Sequence, residues 1–241
     1  MTAITHAHTS RRTLLRGGLA VAAGAVLAPV AGHLAGTVPS ADAATRLLRR
    51  GSTGADVAAL QDTLARTGYW CGSADGIFGH LTQQAVWAAQ KHHHLERDGV
   101  VGPLTRDAVA SGSVPQPFAG GTGVEVHLER QLLLVVRDGA TREVFNTSTG
   151  NGQWYTLDGR RQRAVTPQGA WQVYSTWARG WQEGPLGNMW RPMYYNSGWA
   201  IHGSESIPTY PASHGCSRLS TAAMDHLWSS GLGMGTAVTI S

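Results

Sequence analysis

The 241-residue chain is 42% hydrophobic but only 14% charged, and it carries 31 glycines and nine tryptophans. So little charge and so much glycine exclude a protein of long surface helices and favour sheets, turns and loops. The formal net charge of +4 falls to +2 once residues 1–43 are set aside, leaving 16 basic and 14 acidic residues. That balance excludes the basic footprint of a nucleic-acid-binding protein and is compatible with an anionic wall polymer.

The chain opens with Ser10-Arg11-Arg12-Thr13-Leu14-Leu15-Arg16, similar to the twin-arginine export consensus, and an apolar run follows from Gly17 to Gly32. The run is shorter than the roughly 20 residues a spanning helix needs, and it meets Pro29 and His33. Ala41-Asp42-Ala43 places small residues at cleavage positions. Residues 1–43 are therefore expected to be a signal peptide removed on export, with membrane contact only in transit. An uncleaved anchor is the alternative.

An internal repeat occupies the next segment, 46–110. Asp75 to Val86 aligns with Asp98 to Val109, identical at seven of twelve positions with a period of 23. Each unit reads as a glycine turn followed by a helix with Thr82 or Thr105 at its N-cap. Ahead of them Val57, Leu60 and Leu64 recur at helical spacing, so three short helices are expected. The segment resembles the three-helix bacterial peptidoglycan-binding module in Leu48-Arg49-Arg50-Gly51-Ser52, Asp56-Val57, Leu60-Gln61, Gly68-Tyr69 and both Asp-Gly-x-x-Gly units. Ala89-Gln90 departs from it, since that family commonly has an aromatic before the glutamine. The resemblance implies peptidoglycan as a partner; a packing domain without a ligand is the alternative. His92-His93-His94 cannot converge on one ion, because helix neighbours point about 100° apart. No metal or other cofactor is expected.

Residues 111–122, with Pro115, Pro117 and flanking glycines, read as a linker that lets the two domains move. From 123 onward the period becomes two. Val124, Val126 and Leu128 alternate with polar residues, and Leu132–Val136 is apolar on both faces, as in a central strand. Asp138-Gly139 is a two-residue hairpin turn leading into Thr141–Thr147. Further strands are expected over Ala170–Thr176, Met193–His202 and Thr236–Ser241, and a helix over Thr221–Ser229. Residues 151–165 read as a long basic loop. The whole is multidomain: a small all-α module, then a mainly β domain at 123–241.

Ser213-His214-Gly215-Cys216-Ser217-Arg218 carries the candidate chemistry. A thiol is a strong nucleophile only as thiolate and needs a base or positive charge beside it. Ile201-His202-Gly203 ends an expected strand fourteen residues earlier, so a hairpin returns Cys216 to His202 Nε2. Gly215 lets the backbone approach a substrate, and nearby N–H groups can hold an oxyanion. By these residues alone, a structural cysteine and histidine remain open. The second cysteine, Cys71, is expected to be a small buried residue and unpaired.

Ile201-His202-Gly203 with Ser213-His214-Gly215-Cys216 and Arg218-Leu219 resembles the signature of the L,D-transpeptidase catalytic domain. Thr147-Ser148-Thr149-Gly150 and Thr166-Pro167-Gln168-Gly169 support it. The resemblance implies a β-sandwich-like fold and peptidoglycan stem peptides as substrate. It implies Cys216 as nucleophile and His202 as base and acid, oriented by the Gly203 carbonyl. Ser213 and His214 would shape the site, the Gly215 and Cys216 N–H groups would form an oxyanion hole, and Arg218 would position a carboxylate or lock the loop. The product would be a 3→3 cross-link with release of D-alanine. Ser217 departs from the pattern, where the family usually has an apolar residue. Trp177, Trp181 and Trp190 are candidates for lining the cleft. Hydrolysis by the same thioester, attachment of another protein, and non-catalytic wall binding are the rival functions.

Overall fold

The computed structural model describes residues 46–241, and the signal peptide expected over 1–43 lies outside them. Among the described residues no helix is long and apolar enough to cross a membrane.

Helices α1 (Ala55–Arg66), α2 (His80–His92) and α3 (Pro103–Ala110) open this part of the chain. Val57, Leu60, Gln61 and Leu64 form the buried stripe of α1, the three- and four-residue spacing that aligns side chains on one helix face. The N-caps are Gly54, Gly79 and Gly102, none with a side-chain cap. Thr82 and Thr105 are therefore not the caps their position after a glycine turn implies. They lie one turn inside, where each hydroxyl accepts from a buried glutamine amide. Gln61 Nε2 donates to Thr82 Oγ1 (2.9 Å), Asp75 Oδ1 (2.9 Å) and the Ile77 carbonyl (3.1 Å). Gln90 Nε2 does the same to Thr105 Oγ1, Asp98 Oδ1 and the Val100 carbonyl (3.3, 2.7 and 3.1 Å). Gly76 and Gly99, at φ 71° and 72°, return their N–H groups to the two glutamine oxygens. The sequence repeat is thus a repeated hydrogen-bonded cradle, and its glycines sit in the left-handed region that a side chain disfavours.

Two sheets follow. The first has the order β3-β2-β1-β12-β6, from β1 (Gly123–His127), β2 (Leu132–Arg137), β3 (Ala140–Asn146), β6 (Gly169–Gln172) and β12 (Ala237–Ile240). The second has the order β11-β10-β9-β7, from β7 (Ser175–Thr176), β9 (Met189–Asn196), β10 (Trp199–Ser204) and β11 (Ser217–Ser220), with β8 (Trp181–Gln182) also pairing β9. Helix α4 (Thr221–Ser229) starts from Ser220, whose hydroxyl accepts from Ala223 N–H at 3.1 Å. Asp138 and Gly139 have φ 53° and 72°, the double left-handed turn that suits the strand twist.

Several expected elements are redrawn. Met193–His202 is not one strand. β9 and β10 are antiparallel arms around Ser197-Gly198, with Ser197 at φ 44°, so a polar turn inside an apolar run divides it. Ala170–Thr176 also divides: β6 pairs β12 in the first sheet, and β7 pairs β9 in the second. The basic loop at 151–165 contains a hairpin, β4 (Trp154–Leu157) and β5 (Arg160–Arg163), around Asp158-Gly159 at φ 50° and 73°.

The largest departure concerns the linker. Leu132–Val136 is apolar on both faces because both faces are covered. Leu133 and Val135 join Val124, Val126, Met193, Ile201, Leu219 and Val238 in the core between the sheets. Leu132, Leu134, Val136 and Val144 join Val57, Leu64, Tyr69, Phe78 and Val86 in a core shared with the helices. Residues 111–122 do not let the helices swing: Tyr69 Oη donates to the Ser113 carbonyl (2.8 Å) and Thr141 Oγ1 to the Pro115 carbonyl (2.6 Å). Burying that second apolar face, at about 25 cal/mol per Å², outweighs the entropy that a flexible tether would keep.

Candidate active site

β10 and β11 run parallel, with Ile201 opposite Ser217 and His202 opposite Arg218. The return from His202 to Cys216 is therefore a crossover, not the expected hairpin. Side chains alternate along a strand and in-register neighbours share a face. Ile201, Ser217 and Leu219 accordingly point into the core, at 1%, 0% and 0% exposure. His202, Arg218 and Cys216, just ahead of β11, belong to the opposite face. The spacing of alternate residues, not loop length, gathers the three.

His202 is buried, and its Nδ1 lies 2.9 Å from the Gly203 carbonyl oxygen. A carbonyl only accepts, so Nδ1 carries the proton and Nε2 keeps a free lone pair. Burial pushes this imidazole down to about 4, and Arg218 adds to the shift while the Gly203 bond opposes it. Burial pushes the Cys216 thiol up, against the Ala200 backbone and the Arg218 charge. At neutral pH the resting pair is thus an uncharged imidazole and an uncharged thiol. Cys216 Sγ is partly exposed, 3.8 Å from the Gly198 carbonyl.

The loop before Cys216 is tied on every side. Ser213 Oγ donates to the Cys216 carbonyl at 2.6 Å and accepts from Gly215 N–H at 2.9 Å. Gly215 N–H, expected as an oxyanion donor, is therefore already committed to Ser213. Thr166 Oγ1 donates to the Gly215 carbonyl at 2.6 Å. Gly215 has φ 139°, and a Cβ there would sit 2.5 Å from Trp199 Nε1 and 2.9 Å from the Val165 carbonyl. His214 points outward, where Tyr155 of the β4–β5 hairpin meets its ring edge-on at 4.9 Å.

Beneath Cys216 the Ser217 and Tyr195 hydroxyls are both buried; burial pushes the tyrosine up, and its contact with Ser217 opposes the shift. A serine where an apolar residue is usual thus gives the buried Tyr195 hydroxyl a polar neighbour in the core. Among the candidate cleft tryptophans, Trp177 and Trp181 are exposed, whereas Trp190 packs on the inter-sheet core and donates to Asp225 Oδ1 at 2.8 Å. Thr166, Trp199 and Tyr155 were not singled out as site residues in the sequence. Thr166 lies in the Thr166-Pro167-Gln168-Gly169 motif, whereas no local pattern marks Trp199 or Tyr155. Cys71 is a free thiol in the helical core, pushed up to about 11 by burial. His92, at the end of α2, is half-buried, and burial pushes it down to about 4.

Two known families match this arrangement. Residues 53–109 match a peptidoglycan binding domain, and residues 121–240 match the L,D-transpeptidase catalytic domain. The solved L,D-transpeptidase of Xylanimonas cellulosilytica is 48% identical with a TM-score of 0.78, over 82% of this chain and 98% of that one. The chain belongs to the L,D-transpeptidase family. A spore cortex-lytic enzyme of Oceanobacillus iheyensis is 34% identical over 68 residues, 28% of this chain and 25% of that protein. N-acetylmuramoyl-L-alanine amidase CwlL of Bacillus licheniformis is 36% identical over 77 residues, 31% of this chain and 21% of the amidase. The chain thus spans about a quarter of the length of these curated relatives or less.

Proposed function

We propose that the chain is an exported cysteine L,D-transpeptidase that forms 3→3 cross-links between peptidoglycan stems in the cell wall. The observation that carries the reading is the shared strand face of Cys216, His202 and Arg218, with the His202 tautomer held by the Gly203 carbonyl. The Cys216 thiol gives its proton to His202 Nε2 as sulfur attacks the carbonyl of the stem's third residue. The developing oxyanion is received by the Cys216 N–H, since Gly215 N–H is taken. Collapse of the adduct breaks the bond to D-alanine, whose amine leaves with the proton from His202. The side-chain amine of a second stem then attacks the thioester, passes a proton to His202, and releases the sulfur as a thiol. Arg218 supports the thiolate electrostatically, an effect strengthened by burial. Ser213 and His214 shape the loop, and helices α1–α3 form a three-helix wall-binding module. Trp177 and Trp181, both exposed, offer aromatic surface to the polymer.

Mass spectrometry of residues 44–241 with purified tetrapeptide stems tests this beside Cys216→Ala. A dimer with loss of D-alanine, abolished in the variant, is the expected outcome. Release of D-alanine without dimer reassigns the enzyme as an L,D-carboxypeptidase, and neither product from a folded chain leaves only wall binding.

The base has its own signature. Because the folded His202 value lies near 4 rather than 6.5, kcat/KM, which reports the free enzyme, should stay constant from pH 7 to 5 and fall through pH 4. An acid limb centred near 6.5 would contradict a buried, neutral base.

A further inference from the structure

Helix α2 reaches the loop that carries Cys216 through polar contacts that a wall-binding module does not need. Lys91 is buried to 1% exposure on α2. Its Nζ donates to the Gln131 carbonyl (2.8 Å), to Asn146 Oδ1, and to the Thr147 carbonyl (3.1 Å). Three oxygens surround this amine, with no carboxylate among these partners. Such an arrangement is costly to bury unless it fixes a geometry.

The groups it holds are those that hold the loop. The Gln131 side chain grips Thr149, through Oε1 to its N–H (2.8 Å) and Nε2 to its hydroxyl (2.7 Å). The Thr149 carbonyl accepts from Ala212 and Ser213 N–H (3.0 and 2.9 Å). Thr147 Oγ1 donates to the Arg218 carbonyl (2.8 Å), and Ser148 O accepts Arg218 N–H (3.1 Å). Residues 147–149 therefore clasp the chain on both sides of Cys216. The other end of the crossover is held as well. Asn146 Nδ2 donates to Gln84 Oε1 (2.6 Å) and to the Ile207 carbonyl (3.1 Å), and Gln84 Nε2 to the same carbonyl (3.4 Å). From the segment after α2, Arg97 donates to the Thr209 carbonyl at 3.0 Å.

We infer that the helical module is a working part of the acyl-transfer site, in which Gln84, Lys91 and Arg97 are positioning residues that set the loop bearing Cys216 against His202. This rests on Cys216 as nucleophile and gives the module a role besides holding the wall. A loop displaced by about 1 Å costs roughly 100-fold in rate, so modest loosening is measurable.

The test uses the chain from residue 44 onward with Gln84→Ala, Arg97→Ala, the double variant and Arg97→Lys. Four quantities are read: kcat and KM for D-alanine release, the pH profile of Cys216 alkylation by iodoacetamide, and the melting temperature. The expected result for the double variant is a kcat lower by roughly 10- to 100-fold, KM within about twofold, and an altered alkylation profile. Arg97→Lys, which keeps a donor for Thr209, should recover most of the Arg97→Ala loss. Wild-type kcat and alkylation in the double variant would overturn the inference. So would a loss that follows melting temperature alone, with the alkylation profile unmoved. If even the wild type releases no D-alanine, the transpeptidase reading fails, and the alkylation arm still decides the positioning role.

Discussion

Gly215→Ala is expected to lower kcat for D-alanine release by at least about 100-fold while the chain stays folded. The methyl group would meet Trp199 Nε1 at 2.5 Å and the Val165 carbonyl at 2.9 Å, at a backbone φ of 139° that side chains rarely adopt. The indole cannot yield cheaply, because its N–H is bonded to that same carbonyl at 3.0 Å. Backbone strain of this kind costs about 1–3 kcal/mol, and overpacking costs about as much again. The loop will move instead, and Cys216 moves with it. Stopped assays with circular dichroism decide the matter: a folded variant with wild-type kcat would mean that the tight approach does not set the nucleophile.

Lys91→Met is expected to remove a pH dependence of stability. Burial pushes the folded Lys91 value down to about 6 from 10.5. Between those values the unfolded chain holds a proton that the folded chain binds more weakly. Wild-type stability should therefore rise with pH across this window, by up to about 1.4 kcal/mol per pH unit. Below pH 6 both states are protonated and the slope vanishes. The variant lacks the group, and near neutrality it also leaves Asn146 Oδ1 and the Thr147 carbonyl without this donor, at a cost of about 2–4 kcal/mol. Urea unfolding at pH 6.5, 7.5 and 8.5 measures the difference; parallel lines for the two proteins would rule out Lys91 as its source.

The parts of the fold that were readable in sequence are those fixed by neighbours. Helix α4 over Thr221–Ser229 follows from a serine cap and an apolar stripe, and the β2–β3 hairpin follows from Asp138-Gly139. The repeat at Asp75 and Asp98 was visible, but its meaning was not. Gln61 and Gln90, 14 and eight residues before those aspartates, close the cradles, so the hydroxyls of Thr82 and Thr105 are claimed by tertiary partners. Cys216 and His202 were identifiable as candidates by type and resemblance, yet their relation was read as a hairpin. Nothing local distinguishes an antiparallel return from a parallel crossover when the intervening loop has twelve residues or so. Gly215 N–H was assigned a free role because the reach of the Ser213 hydroxyl is a property of the folded turn. The shared core was foreshadowed only by Leu132–Val136, whose uninterrupted apolar run needs a cover on each side.

That doubly covered strand also determines how the molecule comes apart. Leu132, Leu134, Val136 and Val144 cannot lose the helices without facing water, so neither half has a separate native state to fall back on. Heating should give one calorimetric transition whose van't Hoff and calorimetric enthalpies agree. The sheet cut free at residue 120 should instead clump during expression. Shortening this enzyme to its catalytic half is then not a trimming of an accessory but the removal of one wall of its interior.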